Sequence, residues 1–226
     1  MMGVMDGTRA NRWMRGLAAV FSVIAALLMW GPTTGVAQAA VAAPAGDVIA
    51  IGDPHAVGVV DLYVDPMCPF SGQMVQEQGD EIGQRIEGGT LRVNLRFVDF
   101  LDKYSASKTY DIRAIYAAFV VADQSRSSDV TWRFVRQIFS AEQQPEEGGS
   151  TDLDNNQLAE LANRVGAPPP AQDLIRLGLP IGFDARAIAA NNLALLRQFP
   201  EPGVPTVVIN GQPVDGNLDW LDQLPG

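Results

Sequence analysis

Cysteine is the scarcest reactive residue here: Cys68 stands alone among 226 residues. One thiol excludes a disulfide within the chain, so the fold must rest on its core, and at this length a single domain can bury enough apolar surface to do so. Histidine is equally rare, with His55 alone in a Gly52-Asp53-Pro54 turn. One Cys and one His cannot build a zinc site of nitrogen and sulfur ligands, and no metal or other bound cofactor is expected. Basic residues are few as well, 16 Lys and Arg against 26 Asp and Glu, a formal charge of −10. That balance repels nucleic acid and anionic membrane surfaces, and neither is expected as a partner. The acids are scattered rather than in runs, as on an ordinary soluble surface, and no repeat period is visible.

Long apolar runs are confined to the start. Arg9, Arg12 and Arg15 precede an apolar segment, Leu17 to Trp30, which ends at Gly31-Pro32 and is followed by small residues including Ala37-Gln38-Ala39. These are the three parts of a secretory signal peptide, residues 1–39, with cleavage expected after Ala39 and Ala42 as the other site. The apolar part, about 14 residues, is shorter than the roughly 20 that span a bilayer as a helix, so no stable membrane span is expected after cleavage. Retention by an uncleaved anchor is the alternative. Without that segment the chain keeps 13 basic and 25 acidic side chains, a net charge of −12.

The cysteine lies in Asp65-Pro66-Met67-Cys68-Pro69-Phe70-Ser71, between an apolar run, Val57 to Val64, and a helical pattern. At the start of a helix the first backbone N–H groups are unpaired and point at such a side chain, which stabilises a thiolate over a thiol. Pro69 suits the first helical position because it has no N–H to leave unpaired. Ser71, one turn on, is placed to donate its hydroxyl to the sulfur. These features describe a nucleophilic or redox cysteine. The competing reading is a buried free cysteine acting as a small hydrophobe.

Residues 40–56 are rich in Ala, Pro and Gly and read as a flexible leader, with a short strand at Asp47 to Ile51. Val57 to Val64 reads as a central strand. The helix after Cys68 runs to Gly88-Gly89, and Gly72, Gly79 and Gly83 within it call for a kink or close packing. Leu91 to Val98 alternates as a second strand, and the helical crossover makes the pair parallel. Ile112–Val121, Val130–Phe139, Leu158–Val165, Leu174–Leu177 and Ala185–Phe199 read as helices, a packed lid that carries no chemistry of its own. Val204 to Ile209 returns to strand, Asn210-Gly211 marks a hairpin turn, and Asn217 to Leu224 reads as a short closing helix. Pro205 opens its strand, either as an edge feature or in a cis bond.

This order of elements resembles an α/β thioredoxin-like fold, with an all-helical insertion (residues 105–200) between the two halves of the sheet. More closely, residues 57–226 resemble the DsbA-like thiol-disulfide oxidoreductases of bacterial envelopes. Cys68-Pro69-Phe70-Ser71 matches that family's Cys-Pro-X-Cys motif in a monothiol form. Val204-Pro205 matches its cis-proline loop, and Val207 to Gly216 its closing Asn-Gly hairpin. The resemblance implies Cys68 as nucleophile, Ser71 as donor to the thiolate, and Pro69, Phe70, Val204, Pro205 and Thr206 as the rest for a bound peptide. It implies extracytoplasmic client proteins or peptides with cysteines as partners, and a low-molecular-weight thiol as resolving partner. Leu62 stands where relatives place a proton-relaying acid, and Asp65 reads as a capping or turn residue. With Ser71 in place of a second cysteine, a mixed disulfide can leave only by attack of an outside thiol. The implied chemistry is therefore isomerase, reductase or thiol transfer rather than net oxidation. The alternatives are a redox-inactive peptide-binding module of the same fold and a kappa-class-like small-thiol transferase or isomerase.

Overall fold

The computed structural model describes residues 40–225, so the expected signal segment and its Ala39 cleavage point lie outside the described residues. Those residues form six strands and six α-helices. A hairpin of β1 (Val41–Ala45) and β2 (Val48–Gly52) precedes β3 (Gly58–Val64), α1 (Pro69–Glu87) and β4 (Leu91–Phe97). Five helices follow: α2 (Tyr110–Ser125), α3 (Ser128–Ile138), α4 (Asn155–Arg164), α5 (Pro169–Leu177) and α6 (Ala185–Leu196). The chain then returns to the sheet as β5 (Thr206–Ile209) and β6 (Gln212–Asp215). The strand order is β1-β2-β4-β3-β5-β6. Only β3 and β4 pair in parallel, joined across α1 as expected. The helical insertion falls between β4 and β5, which sets the two halves of the sheet on either side of it.

The alternation in β4 is realised as written, with Leu91, Val93, Leu95 and Phe97 fully buried. The three α1 glycines serve close packing, and α1 runs unbroken for 19 residues. The Trp132 indole lies within van der Waals reach of a Cβ placed at Gly83, and its Nε1 donates to the Gly79 carbonyl at 2.8 Å. Asn210 and Gly211 both have positive φ, 50° and 79°, as the two-residue hairpin turn requires.

Two expectations need correction. Residues 40–56 are not a flexible leader: β1 and β2 pair antiparallel, β2 pairs with β4, and all five β2 residues are buried. The short strand expected at Asp47 to Ile51 is present as β2, while the Ala- and Pro-rich composition before it hid β1; α1 and α3 pack on β2, and α2 packs on β1. The closing helix is a single 3-10 turn, Trp220–Gln223, pinned by the fully buried Trp220. Pro169 and Pro170 open α5, where the missing N–H costs nothing.

Candidate active site

Cys68 occupies the position just before the first turn of α1, with extended backbone (φ −68°, ψ 119°), and Pro69 follows in the first turn. The turn before it is closed by two short-range bonds. The Cys68 N–H donates to the Asp65 carbonyl at 3.0 Å, and the Met67 N–H donates to the Asp65 carboxylate at 3.0 Å. Gln144, from the segment after α3, donates its Nε2 to the Pro66 and Cys68 carbonyls at 3.1 and 3.0 Å. The cysteine is thus held by a loop fixed on both sides.

The expected partner loop is there. Val204-Pro205 is a cis peptide, and the Cys68 thiol donates to the Val204 carbonyl at 3.5 Å. The Pro205 loop is tied to α1 at the residue level. Gly216 N–H donates to the Pro205 carbonyl at 3.1 Å, and Gln78 Nε2 donates to the Gly216 carbonyl at 2.9 Å. Only glycine fits at 216, because a Cβ there would fall 2.7 Å from the Pro205 Cβ. Thr206 donates its hydroxyl to the Gly203 carbonyl at 2.8 Å and begins β5 beside β3. A cleft of about 670 Å³ opens along this loop, lined by Phe70, Val204, Pro205, Thr206 and Asp215 among others. Phe70 is 60% exposed, an uncommon state for a phenylalanine, and it forms the apolar wall on the α1 side. Pro69 is exposed beside it without lining the cleft.

Burial works against the ionised thiolate expected from the helix start. Cys68 is 5% exposed, and its sulfur lies behind Val204 rather than in the cleft wall. Burial pushes its pKa above the ordinary thiol value. The Ser71 N–H and hydroxyl and the Phe70 N–H pull it back down in part, and the Asp65 charge adds to the rise. Ser71 is fully buried and near the sulfur, as expected; its hydroxyl also accepts the Asp65 N–H at 3.5 Å. Burial therefore favours the thiol form of Cys68 at rest.

Asp61, on β3, faces away from the cysteine and pairs with Arg96 at 2.8 Å. Asp65 is a turn residue as expected, but it is also fully buried, and its second oxygen accepts the Leu101 N–H at 3.1 Å. Asp111, in the first turn of α2, is fully buried beside Asp65, and neither of its carboxyl oxygens has a hydrogen-bond partner. The lid therefore places a buried carboxyl group beside Asp65, one that sequence periodicity could not point to. An Asp in the first turn of a helix reads as favourable to the helix dipole, whatever else it touches. Among the described residues no cluster of His, Cys, Asp and Glu could hold a metal ion, and no helix is long and apolar enough to cross a membrane.

A profile of the thioredoxin family matches residues 45–223. Among solved structures the chain is similar to the MdbA protein, a thiol-disulfide oxidoreductase from Corynebacterium matruchotii, at 26% identity and a TM-score of 0.69, covering 83% of this chain and 92% of that one. It is also similar to DsbG, a disulfide bond oxidoreductase from Mycobacterium tuberculosis, at 27% identity and a TM-score of 0.57, covering 77% of this chain and 79% of that one. Among curated proteins it is similar to the serine/threonine-protein kinase PknE of M. tuberculosis, 31% identical over 185 residues. That match covers 80% of this chain but 32% of the kinase, so the chain spans about a third of that relative's length.

Proposed function

Because the chain belongs to the thioredoxin family and has the fold of its DsbA-like thiol-disulfide oxidoreductases, we propose that it is an exported monothiol protein that exchanges disulfides with cysteine-bearing client segments through Cys68. The observation that carries this reading is the 3.5 Å approach of the Cys68 sulfur to the Val204 carbonyl, at a proline-fixed loop that opens on a cleft with an exposed aromatic wall. An extended client segment laid along Val204 to Thr206 would compete for that carbonyl and free the sulfur. Ser71 and the Phe70 N–H would then stabilise the thiolate that forms. Glu201 and Asp215 line the cleft and no Lys or Arg does, so neutral or basic client segments suit it better than acidic ones.

The exchange balances without a second cysteine. The Cys68 thiolate attacks one sulfur of a client disulfide, the client's S–S bond breaks, and the other client sulfur leaves as a thiolate. A thiolate of the client, or of a low-molecular-weight thiol, then attacks the mixed disulfide and returns Cys68 to its starting state. With a client thiol the result is isomerisation, with no net redox change; with two outside thiols it is reduction of the client. Cleavage of the signal segment after Ala39 would leave β1 whole. Cleavage after Ala42 would strip Val41 and Ala42, which pair with Gly52 and Ile51.

Trapping of covalent adducts from envelope extract tests the reading, with the native protein compared against Cys68→Ala. Disulfide-linked species that need Cys68 and dissolve on reduction support it. The second reading, a peptide-binding module without redox chemistry, draws on the burial of Cys68 and its raised pKa. It expects equal client recovery by native protein and Cys68→Ser under reducing conditions.

A further inference from the structure

Two carboxyl groups, Asp65 and Asp111, are fully buried against each other beneath the turn that carries Cys68. Asp65 is well supplied: its oxygens accept the Met67 and Leu101 N–H groups at 3.0 and 3.1 Å, its N–H donates to Ser71, and its carbonyl accepts the Cys68 N–H. Neither oxygen of Asp111 has a hydrogen-bond partner if both groups are taken as ionised. Two buried carboxylates in contact, one of them without a donor, are not a stable arrangement.

No cation resolves it. The groups facing the pair are Asp99 and Asp102 from the segment after β4, Tyr110 from α2 and Cys68 itself, and farther out lie Arg113 from α2, Asp152 from the segment before α4 and Arg186 from α6. Arg113 is engaged elsewhere, with Asp152 at 2.7 Å and the Leu153 carbonyl at 2.8 Å. Arg186 acts on Asp99 and Asp102 instead. Asp102 is already committed to the Asp111 N–H at 2.9 Å. What remains is a proton.

We infer that Asp111 carries a proton and donates it to the Asp65 carboxylate, which makes the pair a positioning device for the turn that presents Cys68. Burial supports this by raising both acids, Asp65 to about 7 and Asp111 to about 10, with each also feeling the other. The lid thereby gains a link to the reactive loop: α2 supplies the donor that favours the ionised form of Asp65 and seats it under Cys68. The inference concerns the thiol's setting and rests on the proposed function only in treating Cys68 as the reacting atom.

The test combines a spectrum and a pH profile on the full-length protein. Infrared spectroscopy at pH 7 should show the carbonyl stretch of an un-ionised carboxylic acid, shifted by exchange into heavy water and lost in Asp111→Asn. Its absence from the native protein overturns the inference, whether or not Cys68 exchanges disulfides. In parallel, the rate of Cys68 alkylation is followed against pH. Asp111→Asn keeps an N–H to donate and should reproduce the native profile. Asp111→Leu cannot donate, so Asp65 takes up a proton and withdraws its charge from beside the sulfur, and alkylation at pH 7 should be roughly threefold faster. A folded Asp111→Leu protein with the native profile overturns the positioning role, and should that variant not fold, the native spectrum decides alone.

Discussion

At the residue scale, Cys68 is held between opposing influences, and their sizes decide its state. The N–H groups at the start of α1 and the Ser71 hydroxyl favour a thiolate, but burial outweighs them and the thiol is held above its ordinary pKa. Native Cys68 is therefore expected to be alkylated more slowly at pH 7 than the same residue in urea-unfolded protein, by about tenfold or more. Iodoacetamide kinetics followed by intact mass would check it, and an equal or faster native rate would contradict the burial argument. Ser71 is the second residue with a direct forecast. It sits one helical turn from Cys68, where a side chain three positions on is a neighbour. Ser71→Cys should form a disulfide within the motif and gain the ability to oxidise a reduced peptide. A loss of two hydrogens in intact mass on oxidation reads this out.

Much of the site was legible in the residues themselves. Cys68, Ser71, Pro205 and Thr206 lie where the motifs place them. The sequence could not reveal the balance between burial and helix-start N–H groups at the sulfur, because burial depends on what covers the loop. Nor could it reveal Asp111, 46 positions after Asp65 in the chain and brought under it only by the packing of α2.

At the scale of elements, the site depends on two ties between α1 and what faces it. One is the chain of contacts from Gln78 through Gly216 to Pro205, which closes only because position 216 has no side chain. Gly216→Val would drive a branched side chain into the proline ring, and the expected cost is about 1–3 kcal/mol of stability, with weaker binding of peptides in the cleft. Urea unfolding together with peptide titration would measure both. A variant with native stability and native binding would show that the loop is not braced there. The other tie is α3 against the glycines of α1, where Trp132 is 3% exposed and bonded to Gly79. Trp132→Ala should cost about 3–5 kcal/mol by chemical denaturation.

The same scale shows what pattern reading can and cannot resolve. β4 was readable because one of its faces is buried and the other polar, which yields strict alternation. β1 was not, because Val41-Ala42-Ala43-Pro44-Ala45 carries too little apolar bulk to show a period and its composition reads as leader, whereas the short apolar run of β2 next to it was readable. The three α1 glycines left a kink and close packing equally open, and only the indole lying over Gly83 decides between them.

For the whole molecule, the buried acid pair predicts how stability changes with pH. In the unfolded chain both acids titrate near 3.8, while in the native fold Asp65 is raised to about 7 and Asp111 to about 10. Between those limits the native state holds protons that the unfolded chain has released. The pair's contribution is thus fully present below about 3.8 and is lost as pH rises through the native values. The urea midpoint of the native protein, compared with that of Asp111→Asn, should therefore fall from pH 5 to pH 9. Taking the difference cancels groups common to both proteins, including the self-repulsion of the acidic surface. A flat difference would mean that Asp111 is ionised in the native state.

The claim on which the whole account turns is that Cys68 can be reached by another molecule's sulfur at the Val204-Pro205 loop despite its burial. It is tested most directly by incubating folded protein with a short disulfide-bearing peptide at neutral pH and reading the intact mass. The account predicts one peptide chain added per protein, mapped to Cys68, released by a small thiol and absent in Cys68→Ala. If the folded protein gains no peptide while the urea-unfolded protein does, the sulfur is sealed and the exchange chemistry is contradicted.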